Sequence, residues 1–112
     1  MEEEITRKPY VVSGVFRASR KHIYAYTLET FGYFQAERYL QQIMQLLGTL
    51  PYFYTVYPEC RYLATKNRTY RNIILDAHLI IYRITDVRIK VLDIIHSASG
   101  IRKIRAIRNI QL

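Results

Sequence analysis

The chain of 112 residues has one cysteine and no long apolar run. With Cys60 alone, an internal disulfide is excluded, and a buried thiol in a reducing compartment is expected. No apolar segment approaches the roughly 20 residues that a helix needs to cross a bilayer. The start, Met1 to Glu4, is acidic, whereas a secretory signal begins with basic residues. These absences predict a cytoplasmic protein that has no membrane segment.

Acidic residues are scarce in the second half of the chain. Residues 1–60 carry six Lys or Arg and six Asp or Glu, whereas residues 61–112 carry eleven basic residues and three acids. Such one-sided positive charge attracts a polyanion or an acidic protein, although an ordinary solvated basic surface is the plain alternative. The residues predicted to bind a target or partner are Arg61, Lys66, Arg68, Arg71, Arg88, Lys90, Arg102 and Lys103.

The first half of the chain predicts one strand and two helices. The segment Pro9–Phe16 has the apolar, β-branched composition of a short strand. From Ser19 the apolar residues recur at spacings of three and four, which predicts a helix ending at Gly32. A second stripe of helical period begins at Ala36 and predicts a helix that stops at Pro51. The short Phe-Gly-Tyr link makes the two an antiparallel helical hairpin.

The second half predicts strands. The β-rich segments are Tyr52–Tyr57, Tyr70–Leu75, Ala77–Ile84 and Arg88–His96, joined in part by tight links, which predicts a meander of at least three antiparallel strands. Strict alternation gives an aliphatic face that packs against the helices, consisting of Ile73, Leu75, Leu79, Ile81, Ile89, Val91 and Ile95. It gives a mixed face, open to a ligand or partner, consisting of His78, Ile80, Tyr82, Arg88, Lys90, Leu92, Ile94 and His96.

The predicted fold class is therefore α+β, in which an N-terminal strand and an antiparallel helical hairpin pack on one face of a small antiparallel β-sheet. Length and composition predict a single domain over residues 1–112, with residues 1–8 as a disordered tail. Residues 97–112 form either a basic tail or a short amphipathic helix, because three isoleucines recur there at a spacing of three. Such a helix docks on its own sheet or contacts a binding partner.

The order of strand, helical hairpin and antiparallel meander resembles the RelE/ParE superfamily, the toxins of bacterial type II toxin–antitoxin (plasmid stabilisation) systems. The matching motifs extend over roughly residues 10–100. They are Ile-Tyr-Ala-Tyr at Ile23–Tyr26, Leu-x-x-x-Pro from Leu47 to Pro51, Tyr70-Arg71 followed eleven residues later by Tyr82, and Val-Leu-Asp-Ile-Ile-His ending at His96.

The resemblance implies one of two activities. RelE-like members cleave mRNA in the ribosomal A site, and ParE-like members block DNA gyrase without catalytic residues of their own. For cleavage the resemblance offers His96 as acid or base, Arg71 for the phosphate and Tyr82 as proton donor, each with a structural alternative. Leu79 stands where RelE-like nucleases tend to carry an arginine, so the catalytic set is incomplete.

We therefore expect a ParE-like toxin that inhibits a macromolecular target such as DNA gyrase by binding it. The alternatives are a ribosome-dependent mRNA endonuclease, with ribosome and mRNA as target, and a non-toxic basic binding module of the same fold. The expected partner is a cognate acidic antitoxin. No metal or cofactor is expected.

Overall fold

The computed structural model describes residues 6–112. Its elements in chain order are β1 Tyr10–Val12, α1 Gly14–Phe31, α2 Tyr33–Phe53, β2 Tyr70–Leu75, β3 His78–Ile84, β4 Ile89–His96 and α3 Ile101–Ala106, followed by a 3-10 turn at Ile107–Asn109. The predicted α+β class, with a short first strand and a helical hairpin on one face of a sheet, is confirmed. Over the described residues, no helix combines the length and the apolar character needed to cross a membrane.

The first strand is shorter than expected because Ser13 starts a helix. Its Oγ accepts the Phe16 backbone N–H at 2.8 Å, which satisfies one of the donors left open at a helix N-terminus. The same hydroxyl donates to the Leu92 carbonyl and ties the start of α1 to β4. Residues 14–16, predicted as strand, therefore form the first turn of α1.

A single residue joins the two long helices. Gly32 has a φ of +92°, a conformation that favours glycine, and its N–H caps α1 by donating to the Leu28 carbonyl. The predicted stop of α2 at Pro51 is wrong, because the helix runs through the buried Pro51 to Phe53. The predicted strand Tyr52–Tyr57 is consequently absent from the described structure. Proline weakens the last turn, but its ring is held in the core and its carbonyl accepts the Lys8 N–H.

The sheet has the order β1-β4-β3-β2. The three long strands form the predicted antiparallel meander, and β1 adds to β4 in the parallel direction. The sheet is therefore mixed. The N-terminal segment before β1 is also attached, since the Thr6 carbonyl accepts the Tyr54 hydroxyl and Lys8 Nζ donates to the Thr85 carbonyl. Of the predicted tail at residues 1–8, residues 1–5 lie outside the described residues.

The predicted facing of β3 is wrong. The two-residue turn at Asp76 and Ala77 pairs Leu75 with His78, so these two residues lie on the same face. His78, Ile80 and Tyr82 therefore face the helices, and Leu79 and Ile81 face the other side. Strict alternation assumes that the facing of side chains continues unchanged through the turn, and it therefore assigns every residue of β3 to the wrong face.

The second half of β4 also departs from strict alternation. The register shifts between Ile81, which pairs with Asp93, and Tyr82, which pairs with Val91. Leu92 is thus an extra residue, a β-bulge that reverses the facing of the residues after it. Ile94 accordingly packs with the helices and Ile95 on the opposite side, whereas alternation predicts the reverse.

Apolar residues pack on both sides of the sheet. The helix side buries the larger core, formed by Phe16, Ile43, Leu47, Leu50, Tyr54, Ile73, Ile80, Tyr82, Ile89, Val91 and Ile94. The far side is covered by α3 and the loop before β2, and buries Cys60, Leu63, Ile81, Leu92, Ile95, Ile104 and Ile107. Burial raises the pKa of the Cys60 thiol to about 11, so it stays protonated at neutral pH. The sheet is thus the middle layer of three.

Candidate functional site

Tyr82, a candidate proton donor, is part of the helix-side core. Its side chain is fully buried, and its hydroxyl donates to the Tyr54 carbonyl at 2.6 Å. Its ring packs edge to face against Tyr57, with centroids 6.3 Å apart. Burial raises the pKa of this phenol well above its usual value. The position anchors the end of α2 to the sheet and gives no access to a substrate.

Arg71, a candidate phosphate ligand, is bound to the backbone. Its Nε donates to the Arg68 carbonyl at 3.1 Å, and one Nη donates to the carbonyls of Thr55 and Tyr57 at 2.9 and 2.8 Å. The guanidinium thereby fastens the segment after α2 to the first residues of β2. An arginine used in this way satisfies backbone acceptors that a loop leaves open.

His96, the remaining catalytic candidate, lies exposed at the end of β4 beside His78. The two rings are perpendicular, with centroids 5.9 Å apart. The Nδ1 of His96 accepts the Ala98 N–H at 3.0 Å, so the proton of its neutral form is on Nε2. The two histidines are far apart in the sequence, but the hairpin register pairs them directly.

Tyr39 of α2 completes this group from the helix side. Its hydroxyl lies 2.6 Å from His78 Nδ1 and 3.1 Å from the Leu75 carbonyl. Because a carbonyl only accepts, both contacts form when His78 carries its proton on Nδ1 and Tyr39 donates to Leu75. Burial, and then the neighbouring His96, lower the pKa of His78, whereas Asp76 raises it. Burial raises the pKa of Tyr39 to about 12.

These side chains line a cleft of about 690 Å³ between the helical hairpin and the β2–β3 turn. The cleft is lined by His22, Ile23, Tyr26, Thr27, Phe31, Gln35, Tyr39, Asp76, Ala77, His78 and His96. In the described part of the chain, its lining contains one carboxylate and no Lys or Arg. It continues into an aromatic tip, which we define as Tyr26, Phe31, Tyr33 and Phe34. Phe34 is 87% exposed, and a cluster of exposed aromatics is typical of an interaction surface.

The predicted basic residues lie away from this cleft. Arg61, Lys66 and Arg68 are exposed in the loop before β2, Arg88 lies in the β3–β4 turn, Lys90 is in β4, and Arg102 and Lys103 are exposed on α3. They do not converge on one point, and Arg71 belongs to the fold as described above. Lys66 lines a pocket.

This second pocket, of about 520 Å³, lies on the far side of the sheet. Three segments supply its cations, with Lys66 from the loop, Arg83 from β3 and Arg108 from the 3-10 turn. Arg83 lies over the ring of Tyr70 at 5.6 Å, which orients the guanidinium. Arg83 and Arg108 are not among the residues predicted to bind. The hairpin register would have indicated Arg83, because it lies directly opposite Lys90.

One more titratable group is buried near α3. Asp93 accepts the Ser19 hydroxyl at 2.6 Å and the Ile94 N–H at 2.8 Å. Burial raises the pKa of this carboxyl, whereas those two hydrogen bonds and the charge of Lys103 lower it. Across residues 6–112, no group of three His, Cys, Asp or Glu side chains is arranged to hold a metal ion. Through its hydrogen bond with Ser19, Asp93 links α1 to β4.

Comparison with solved structures supports the fold. A chain of the structure described as "Chromosomal ParDE TA system from P. aeruginosa" superposes with a TM-score of 0.68 at 16% sequence identity. The match covers 81% of this chain and 97% of that chain. At this identity the likeness shows the fold alone. A search of curated protein sequences finds no match.

The family profile described as "ParE toxin of type II toxin-antitoxin system, parDE" matches residues 10–100. This span holds the helical hairpin, all four strands and every motif on which the RelE/ParE resemblance rests. The predicted superfamily is confirmed, and within it the ParE-like activity is favoured over the endonuclease and the non-toxic module. The chain belongs to the ParE family of type II toxin–antitoxin toxins.

Proposed function

We propose that this ParE-like toxin inhibits a macromolecular target by binding it, with DNA gyrase as the leading candidate, and performs no bond cleavage itself. The observation that carries the proposal is the use of Arg71 and Tyr82 within the fold. Arg71 donates to three backbone carbonyls, and the buried Tyr82 hydroxyl donates to a fourth. Tyr82 is therefore closed to a scissile phosphate, and Arg71 is held by the backbone through Nε and one of its two Nη groups.

The surroundings of His96 support the same proposal. RNA cleavage needs a base near the 2′-hydroxyl, an acid near the leaving oxygen and cations at the phosphate. His96 and His78 could exchange protons with a substrate, but the cleft that they line contains Asp76 and neither Lys nor Arg over the described residues. A phosphate at this site would meet a carboxylate instead of a stabilising cation.

A type II toxin has an antitoxin partner, and we propose that this one is acidic. The surplus of eight positive charges in residues 61–112 favours an acidic segment that folds on binding. Arg61, Lys66, Arg68, Arg88, Lys90, Arg102 and Lys103 remain proposed contacts to target or antitoxin. Because gyrase and ribosomes are cytoplasmic, we also propose that the toxin acts in the cytoplasm.

Two assays on the purified protein test the mechanism. The first measures supercoiling by gyrase, and the second measures cleavage of mRNA on programmed ribosomes. We expect inhibition of supercoiling by the wild type and by His96→Ala, and no cleavage by either. Loss of a true acid–base residue lowers a cleavage rate by about 10²–10⁴-fold. Cleavage in the A site that His96→Ala abolishes would overturn the proposal and favour the endonuclease.

The antitoxin proposal has its own test. Co-expression with the acidic antitoxin that we expect to be encoded beside the toxin should give a complex that survives moderate salt. Chemical labelling of lysines with and without the partner should protect Lys90 more than Lys21, which is exposed on α1. Equal labelling of both lysines in the complex would show that the basic side of the sheet is not its contact.

A further inference from the structure

The far-side pocket holds three cations, one of which lies opposite a fourth in the sheet. Lys66, Arg83 and Arg108 line the pocket, and Arg83 lies directly opposite Lys90 in the β3–β4 ladder. Both side chains of this pair point away from the helices, because Tyr82, Ile89 and Val91 beside them belong to the helix-side core. We define Lys66, Arg83, Lys90 and Arg108 as the basic stripe.

The arrangement is unfavourable for the isolated protein. Like charges directly opposite each other in an antiparallel pair destabilise it, and Arg83 of this pair also shares the pocket with Lys66 and Arg108. In the described chain no acidic side chain lines the pocket. The closest acid in this loop, Glu59, accepts the Thr65 N–H at 3.3 Å and so serves the loop backbone. A bound anion would offset the repulsion among the four cations.

The remaining groups of the pocket suit phosphate oxygens. Thr65 and Thr69 hydroxyls lie 3.2 Å apart, so that one donates to the other and one hydroxyl proton is left for an anion, and Asn67 supplies an amide. Hydroxyls and amides are frequent phosphate partners alongside Lys and Arg. Arg83 and Lys90 lie on neighbouring strands, which are about 4.8 Å apart, and Lys66 and Arg108 add charges from the loop and the 3-10 turn. Four cations spread over separate segments fit a polyanion better than a single small anion.

Apolar anchoring is weak on this surface. A disordered antitoxin segment that folds on binding relies on apolar anchors, but Ile104 and Ile107 already cover Ile81, Leu92 and Ile95 on the far side. The exposed aromatic residues instead lie at the helical tip. An antitoxin that covers the stripe would therefore have its apolar anchors elsewhere, whereas a nucleic-acid backbone needs charge and hydroxyl donors alone.

We infer that the basic stripe binds the phosphate backbone of nucleic acid. Together with the proposed function, on which this part of the inference rests, the bound nucleic acid is the DNA that gyrase holds. The toxin would then contact both the enzyme and its DNA. Neutralising four phosphates gives a slope of about −3.6 in log K against log salt for duplex DNA, hence a roughly 150-fold loss of affinity between about 50 and 200 mM salt.

Fluorescence anisotropy of the purified full chain with a labelled duplex of mixed sequence tests the inference without gyrase. Single-charge variants Arg83→Gln and Lys66→Gln are compared with Arg38→Gln, an exposed arginine on α2 that loses the same charge. Each stripe variant should make the slope of log K against log salt less steep by about 0.9, and Arg38→Gln should leave that slope unchanged. Lys66 lies in an exposed loop, so its variant tests binding even if Arg83→Gln disturbs β3.

Three results would overturn the inference. They are no binding at low salt, equal losses for Arg38→Gln and the stripe variants, or Arg83-dependent binding of a polyglutamate peptide without binding of DNA. The last would make the stripe a site for an acidic protein. Because the assay contains no gyrase, its failure leaves the proposed inhibition intact. Conversely, DNA binding with no effect on supercoiling would retain the stripe and overturn the gyrase proposal.

Discussion

The two sides of the sheet differ in what they bury and what they expose. On the helix side, β2, β3 and β4 pack Ile73, Tyr82 and Val91 against two long helices, and the open part of this side is a cleft with aromatic walls and one carboxylate. On the far side, β3 carries the exposed Arg83 and β4 the half-buried Lys90, beside a short helix. Neighbouring residues such as Tyr82 and Arg83 thus serve stability and recognition separately, because side chains alternate along a strand.

This comparison also separates two kinds of arginine. Arg71 points toward the end of α2 and is held by backbone carbonyls, whereas Arg83 on the adjacent strand lies over an aromatic ring at a pocket. Both were positive charges in the same basic half of the sequence. Their neighbours decide whether the charge builds the fold or remains available to a partner.

The largest expected effect tests which core determines stability. Leu47→Ala removes a fully buried helix-side residue and should lower the free energy of unfolding by about 2–5 kcal/mol. Ile104→Ala on the far side should cost less than about 2 kcal/mol, because the six-residue α3 can undock separately from the remaining fold. Urea unfolding of both variants checks this, and equal losses would mean that the two cores are one cooperative unit.

Next comes the buried hydrogen bond of Tyr82. Tyr82→Phe keeps the ring but leaves the Tyr54 carbonyl without its donor, which should cost about 1–3 kcal/mol. Tyr26→Phe, at a residue 64% exposed in the aromatic tip, is the matched control and should be near neutral. Thermal unfolding measures both. If Tyr82→Phe is as stable as the wild type but has lost toxicity, the Tyr82 hydroxyl has a functional role and not a structural one.

A smaller effect distinguishes the two kinds of arginine. Arg71→Gln should lower the free energy of unfolding by about 1 kcal/mol, since its carbonyl partners are partly solvated. Arg88→Gln, an exposed position in the β3–β4 turn, should change it by less than about 0.5 kcal/mol. Chemical denaturation resolves the pair. If Arg88→Gln loses more stability than Arg71→Gln, then Arg88 and not Arg71 is the arginine that stabilises the fold.

The smallest effect is a pH dependence on the helix side. Burial and His96 lower the pKa of His78 in the folded state, so the unfolded chain binds the proton more readily. Stability should therefore fall as pH decreases from near the ordinary histidine pKa of about 6.5 toward the lower folded value. Asp93, whose pKa burial raises, acts in the opposite direction.

The free energy of unfolding is measured at neutral and at mildly acidic pH for the wild type and for His78→Gln. The change with pH is then compared between the two proteins. The variant should lose less stability on acidification than the wild type, because it lacks the titrating ring. An identical pH dependence of the two proteins would show that the contact between Tyr39 and His78 does not couple protonation to folding.

Much of the fold was predictable because its signals are local. Periodicity indicates the helical hairpin, and β-branched residues indicate the meander. Pro51 was misjudged because tertiary packing outweighs its local cost in the last turn of α2. The facing of β3 depends on how many residues form the turn at Asp76, which alternation alone does not reveal.

The candidate sites were harder to predict, because they depend on pairings between distant segments. Lys66, Arg83 and Arg108 are widely separated in sequence and meet only after the sheet forms and α3 docks. Arg71 and Tyr82 carry the residue types of catalysis, but their partners are backbone carbonyls, which have no sequence signature. Tyr39 and His78 likewise meet through the packing of α2 on the sheet.

The bulge at Leu92 also sets a rule for reading related sequences. A toxin whose last strand lacks this residue would show regular alternation, with the positions equivalent to Ile94 and Ile95 exchanging their environments. An alignment without a gap there would pair core positions with far-side positions and give a false impression of variability. Insertion and loss of one residue in a strand can thus be neutral in evolution only when the apolar pattern beyond it changes phase as well.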